Sequence, residues 1–309
     1  MEGPGRPLVE QAQSVGAGAQ ELIDQLCDVG DKRVAEMDAA GIDMQVLSLT
    51  APGVEQLEPD AAVTLAREAN DFLGDAVRRY PQRLGGFAVL PTARPETAVA
   101  ELERTVQKYG LKGAVINGHH RGRYLDDKFF WPILECAEAL QLPIYLHPTR
   151  PPQPVQDAYY GGFSPLVSNL LGMAGWGWHV ETALHIIRMI MGGVFDRYPK
   201  LQVIIGHMGE TLPFMVQRLD RTMTPERTKL QRPVSAYLRE NIHYTFSGFN
   251  YIQIWLNLVM EVGVDRIMFS ADHPYASMKE ARTFLDRLPV SDADRERIAH
   301  GNAEALMGL

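Results

Sequence analysis

Cysteine is scarce in this chain. Only Cys27 and Cys136 occur, far apart and both in helix-like contexts, which excludes a disulfide framework and fits a reducing, cytoplasmic setting. Long hydrophobic runs are also lacking: nothing approaches the roughly 18 consecutive apolar residues of a helical membrane span. Basic charge is in deficit, with 30 Lys and Arg against 38 Asp and Glu and a net charge of −8. A chain of that sign gains nothing from a phosphate backbone, so nucleic acid is excluded as a partner. The first 18 residues have no apolar signal-peptide core and no periodic apolar pattern, being rich in Gly, Gln and Pro. They read as an irregular segment ahead of a single domain over 19–309.

What the chain does have is alternation. Short apolar runs at 44–49, 86–90, 113–117, 143–147, 201–207, 242–247 and 266–270 are separated by amphipathic helical patterns, the first of them over 20–40. Most of these runs are continuously apolar, as strands buried on both faces are, and the order strand, loop, helix, strand predicts a parallel sheet with helical crossovers. For a chain of this length the expected architecture is an α/β fold, a (β/α)8 TIM barrel. The runs number seven and a helix precedes them, so the strand that is missing or altered is the first. The connection over 148–178 is the longest and carries Tyr159, Tyr160, Phe163, Trp176 and Trp178. It reads as an ordered lid or interface segment.

In such barrels the chemistry sits at the C-terminal ends of the strands. Three predicted strand ends carry strong ligands: His147, His207, and Asp272 in Ser270-Ala271-Asp272-His273-Pro274. They lie 60 and 65 residues apart, so only convergence on one barrel mouth would unite them. Two imidazoles and a carboxylate suit a divalent metal, Zn or Mn. Taken singly, each histidine has a structural alternative, and Asp272 has one as cap of the helix starting near Ser277. His119 and His120 read as solvated loop residues. His179 and His185 share a helix at a spacing of six, which does not bring them face to face.

Seven short stretches occur in an order that resembles the amidohydrolase-related decarboxylases of the amidohydrolase superfamily. Among them are Leu47-Ser48-Leu49-Thr50-Ala51-Pro52-Gly53-Val54, Tyr145-Leu146-His147-Pro148, Gly206-His207-Met208-Gly209-Glu210 and Ser270-Ala271-Asp272-His273-Pro274-Tyr275. The likeness runs from about Leu22 to Leu309, and is stronger to the γ-resorcylate and 5-carboxyvanillate decarboxylases than to the aminocarboxymuconate semialdehyde enzymes. It implies His147 and Asp272 as metal ligands. His207 would be a ligand or an acid–base partner, and Asp272 or His207 the proton donor to the ring. Asn117, Arg218 and Tyr275 become the candidate substrate-binding residues, Arg218 across a subunit interface. The implied activity is non-oxidative decarboxylation of a hydroxybenzoate, with aromatic residues of the long loop walling the ring, in a homodimer or homotetramer. A metal-dependent amidohydrolase or lactonase is the alternative enzyme. The family opens with a strand ending in a Glu-x-His type motif, for which this sequence offers only Glu10, outside any β run. A start downstream of that strand is therefore expected, and a catalytically impaired binding protein is a third reading. Trp176, Trp178 and Phe214 are candidate interface residues, although the amphipathic helix around Phe214 predicts core packing for it.

Overall fold

The computed structural model describes residues 19–309; Glu10 and the rest of the irregular amino-terminal segment lie outside them. The parallel strands follow chain order: β1 (Gln45–Leu47), β2 (Leu84–Gly86), β3 (Ala88–Val89), β4 (Ala114–Asn117), β5 (Ile144–His147), β6 (Val203–Ile205), β7 (Ile242–Thr245) and β8 (Ile267–Met268). β1 pairs with β2, and β3 through β8 form one sheet in sequential order. β2 and β3 are one strand position broken at Phe87. The Phe87 N–H donates to the Leu47 carbonyl, and the next residue, Ala88, donates to Gly113 on the other side. The two sheets are thus one curved array of seven strand positions, each crossing to the next through helices.

The first predicted helix is two: α1 (Ala19–Cys27) and α2 (Asp31–Ala40). Arg33, buried at 5% exposure, fixes the bend by donating to the Asp28 and Gln25 carbonyls. α2 ends on Gly41 at φ 68°, whose N–H closes onto the Asp38 and Met37 carbonyls. α3 (Pro59–Arg79) and α4 (Pro95–Tyr109) each begin with proline in the first turn, where the missing N–H costs nothing. The connection over 148–178 is not irregular: it holds α5 (Pro165–Gly172), N-capped by Ser164, and leads into α6 (Gly177–Met191). Downstream lie α7 (Leu212–Thr222) and α8 (Met278–Asp286). No helix among the described residues is long and apolar enough to cross a membrane.

The array does not close among the described residues: β1 and β8 each pair on one side only. In parallel pairing alternate residues turn their backbone groups to opposite neighbours. Gln45 donates to Arg83 and Leu47 accepts from Phe87, so Val46 between them turns its N–H and C=O toward the gap. Along β8, Asn302 donates to the Ile267 carbonyl and Phe269, just past the strand, donates to that of Ile298, covering part of the edge. The gap contains a cavity of about 740 Å³. Its long walls are Val46 and Leu47 on one side and Met268 and Phe269 on the other; Met307 and Leu309 lie at the foot of the barrel, His147 and Asp272 at the mouth. Among the described residues the strand positions number seven.

Two buried histidines make the fold acid-sensitive. His185 Nε2 accepts the Leu125 N–H at 2.9 Å, and His243 Nε2 accepts from Arg266 at 3.0 Å. Burial first, and nearby positive charge second, lower both to about 3 from 6.5. At these two sites the unfolded chain binds more protons than the native one between pH 6.5 and 3, so their contribution to stability falls as pH falls through that window, while Glu55 and Asp272, raised by burial to about 7 and about 6, act in the opposite sense. Each of the two histidines is expected to remove up to roughly 1.4 kcal/mol of urea unfolding free energy per pH unit below pH 6. H243Q should change the wild-type slope by up to about 1.4 kcal/mol per pH unit in the flattening direction. An H243Q profile parallel to the wild type between about pH 6 and 4.5 would contradict it.

Candidate active site

β5 delivers His147 to the mouth, where its Nδ1–H donates to the Pro148 carbonyl at 2.8 Å. That bond sets the tautomer and leaves the Nε2 lone pair unprotonated. Burial first, and the neighbouring His207 charge second, lower His147 to about 4, so it is neutral near pH 7, as a ligand must be. Asp272 follows β8 with φ 64°. Its backbone C=O accepts from Ala276, while the next helix is capped by Ser277 Oγ bonding the Glu280 N–H. Asp272 is thus not the cap of α8, and its carboxyl lines the cavity. Burial raises that carboxyl to about 6; the His207 charge lowers it and Glu210 raises it further.

His207 lies beyond β6, with its ring centroid 6.4 Å from that of His147. Five consecutive residues here, His207, Met208, Gly209, Glu210 and Thr211, have positive φ. Four of them are not glycine, so the segment stores strain of about 1–3 kcal/mol per residue, held by the structure around it. The tight left-handed path returns Glu210 onto His207. Glu210 Oε1 accepts from His207 Nδ1 at 2.6 Å, and Oε2 accepts from His179 Nδ1 at 2.6 Å. Burial alone would raise Glu210, but the His207 charge and the two hydrogen bonds bring it down to about 2. Burial works against the His207 imidazolium; the Glu210 charge and hydrogen bond outweigh it, and its pKa is raised.

His179, His207 and Glu210 also form a compact set of buried ligand atoms. Two ligands of one tetrahedral Zn, each bound at about 2.0–2.2 Å, stand roughly 3.3 Å apart. The 2.6 Å contacts are hydrogen bonds instead, and they leave His207 Nε2 as the nitrogen for metal or substrate. The metal-compatible donors are then His147 Nε2, the Asp272 carboxylate and His207 Nε2. That donor chemistry fits a divalent ion.

The other predicted residues separate. Tyr275 lines the cavity and its hydroxyl lies 2.9 Å from Thr50 Oγ1, bridging the loops after β8 and β1. Asn117 pairs in register with His147, but its side chain is fully buried, lines no part of the cavity and has no hydrogen-bond partner among the described residues. Arg218 is exposed on the outer face of α7, beside Gln217 and Arg221, away from the cavity. Phe214, expected in the core, is 80% exposed. His119 and His120, expected in solvent, are held in place: His119 accepts the Gly122 N–H at 3.0 Å and His120 Nδ1 lies 2.6 Å from the Glu55 carbonyl. The aromatic wall does not come chiefly from the long connection, since Tyr159, Phe163 and Trp176 are 72, 59 and 50% exposed. Phe87, Tyr145 and Phe269 line the cavity instead, and Trp178 packs edge-on against His147 with centroids 6.3 Å apart. Sequence reasoning also missed a hydroxyl group cluster beneath the mouth: Ser247 Oγ lies 2.9 Å from Thr245, 3.2 Å from Ser270 and 3.4 Å from Tyr145.

Histidine and aspartate donors at the C-terminal ends of parallel barrel strands define a metal-dependent (β/α)-barrel enzyme site. The amidohydrolase family model matches residues 25–309, and the chain belongs to that family. It is 38% identical to γ-resorcylate decarboxylase of Polaromonas sp. (strain JS666) over 300 residues, covering 94% of this chain and 90% of that one. The crystal structure of a dihydroxybenzoic acid decarboxylase from Polaromonas sp. JS666, with bound manganese and the inhibitor 2-nitroresorcinol, superposes at a TM-score of 0.91 with 37% identity, covering 98% and 93% of the two chains. The 5-carboxyvanillate decarboxylase of Sphingomonas paucimobilis superposes at 0.87 with 32% identity, covering 98% and 96%.

Proposed function

We propose that the chain is a metal-dependent, non-oxidative decarboxylase of a hydroxybenzoate of the 2,6-dihydroxybenzoate type. The observation that carries this is the Asp272 carboxyl in a cavity walled by Phe87, Tyr145 and Phe269, with the rings of His147 and His207 each held by Nδ1 beside it. His147 and Asp272 are the residues that would hold Mn or Zn, with His207 Nε2 either a third ligand or, when protonated, the proton donor beside the ion; when bound, the ion supplies Lewis acidity and a template for the substrate carboxylate and its ortho oxygen. The chain's own groups then handle one proton. Asp272 or the His207 imidazolium donates it to the ring carbon bearing the carboxylate. The carbon–carbon bond breaks, its electron pair restores the aromatic ring, and carbon dioxide leaves. Glu210 holds the His207 ring by Nδ1, and the apolar wall excludes water from the protonated ring.

Arg218, with the exposed Phe214 and Trp176, supports a homodimer or homotetramer in which Arg218 serves a neighbouring copy's substrate. Mn-loaded protein should release carbon dioxide from 2,6-dihydroxybenzoate and lose that activity on chelation. Hydrolysis of lactones without carbon dioxide release would instead establish the hydrolase alternative.

A further inference from the structure

We infer that His179 is a positioning residue that seats the Glu210 carboxylate, so that Glu210 in turn locks the His207 ring. The inference rests on the decarboxylase reading only for its kinetic consequence. Glu210 has no exposed side-chain surface. A carboxylate so placed needs a donor for each oxygen, because an unpaired buried charge is costly. Oε1 has His207 and Oε2 has His179. Remove the second and Oε2 is left bare, with the carboxylate free to rotate off His207.

The far side of His179 fixes its role. The Trp178 indole N–H donates to His179 Nε2 at 3.1 Å, which places the ring proton of the neutral form on Nδ1. In the imidazolium, Nε2–H would donate to the Ala174 carbonyl 3.0 Å away. Either way Nδ1 keeps its proton and donates to Glu210, so the contact does not depend on the charge of His179. The ring is packed in place as well, with the His207 ring centroid at 4.7 Å and that of Phe249 at 5.2 Å. Because Trp178 also lies edge-on to His147, the end of the 148–178 connection is tied to both histidines at the mouth.

The test is a mutant cycle with a spectroscopic arm. H179A should lower kcat about tenfold with KM little changed, the size of effect expected when a partner of an active-site group is lost. H179N keeps a donor near the Nδ1 position and should recover most of it. In an E210Q background, H179A should add no further loss, since its route through Glu210 is already broken. Without substrate or metal, the His207 Nδ1–H proton resonance should be shifted or lost in H179A and retained in H179N. An unchanged resonance in H179A, or losses in H179A and E210Q that multiply, would overturn the proposal. If the wild type decarboxylates nothing, the functional reading fails, while the resonance still decides the positioning role.

Discussion

Asp272→Asn is expected to reduce carbon dioxide release from 2,6-dihydroxybenzoate by at least about 10³-fold, with the melting temperature unchanged. The substitution is chosen for its backbone as much as its side chain. Asp272 sits at φ 64°, a left-handed conformation that asparagine tolerates better than most residues. It caps no helix, because Ser277 holds that position for α8, so the fold loses no cap. What is lost is chemical. The amide has no proton to give and no negative charge for a metal. Those two roles can fall on one residue because a carboxyl can serve as ligand or as acid, and burial raises this one above the usual carboxylate range. Activity in D272N within tenfold of wild type, on protein with native metal content, would remove Asp272 from both roles.

The parts of this site that a reader of the sequence can find are those that obey a topological rule. His147 and Asp272 are legible because parallel barrel strands put their last residues at one mouth, whatever their separation. Glu210 sits in the same short motif as His207, yet its part is not legible. The Glu210–His207 contact depends on five successive left-handed residues, which no propensity favours. His179 was set against His185, its neighbour on one helix, while its actual partner is Glu210 on another segment. Phe214 shows the limit of an amphipathic pattern. α7 buries Leu212, Pro213, Val216 and Leu219, and at 3.6 residues per turn a side chain two positions from Val216 points to the opposite side. That the described residues supply seven strand positions was legible by counting. Its consequence, a cavity running from the mouth to the foot of the barrel, needs coordinates.

Glu210→Gln is expected to lower kcat by about 10²–10⁴-fold, because it sets the two histidines in conflict. The carboxylate accepts from both Nδ1 atoms. A glutamine has one oxygen and one NH2 group, so it can accept from only one. If its oxygen faces His179, the NH2 faces His207 Nδ1, which must then become an acceptor and shift its proton to Nε2. The nitrogen needed at the mouth is then blocked. If the oxygen faces His207, His179 must take the opposite tautomer, and the Trp178 indole loses its acceptor. The amide also removes the charge that raises His207. If the His207 imidazolium is the donor, the rate falls as pH rises through its pKa, and loss of Glu210 lowers that pKa. The alkaline limb of the pH–rate profile should therefore move to lower pH in E210Q. A limb that stays in place while kcat falls would assign the donor to Asp272 and leave Glu210 a purely geometric role; an unchanged kcat would mean that His207 needs no partner at Nδ1.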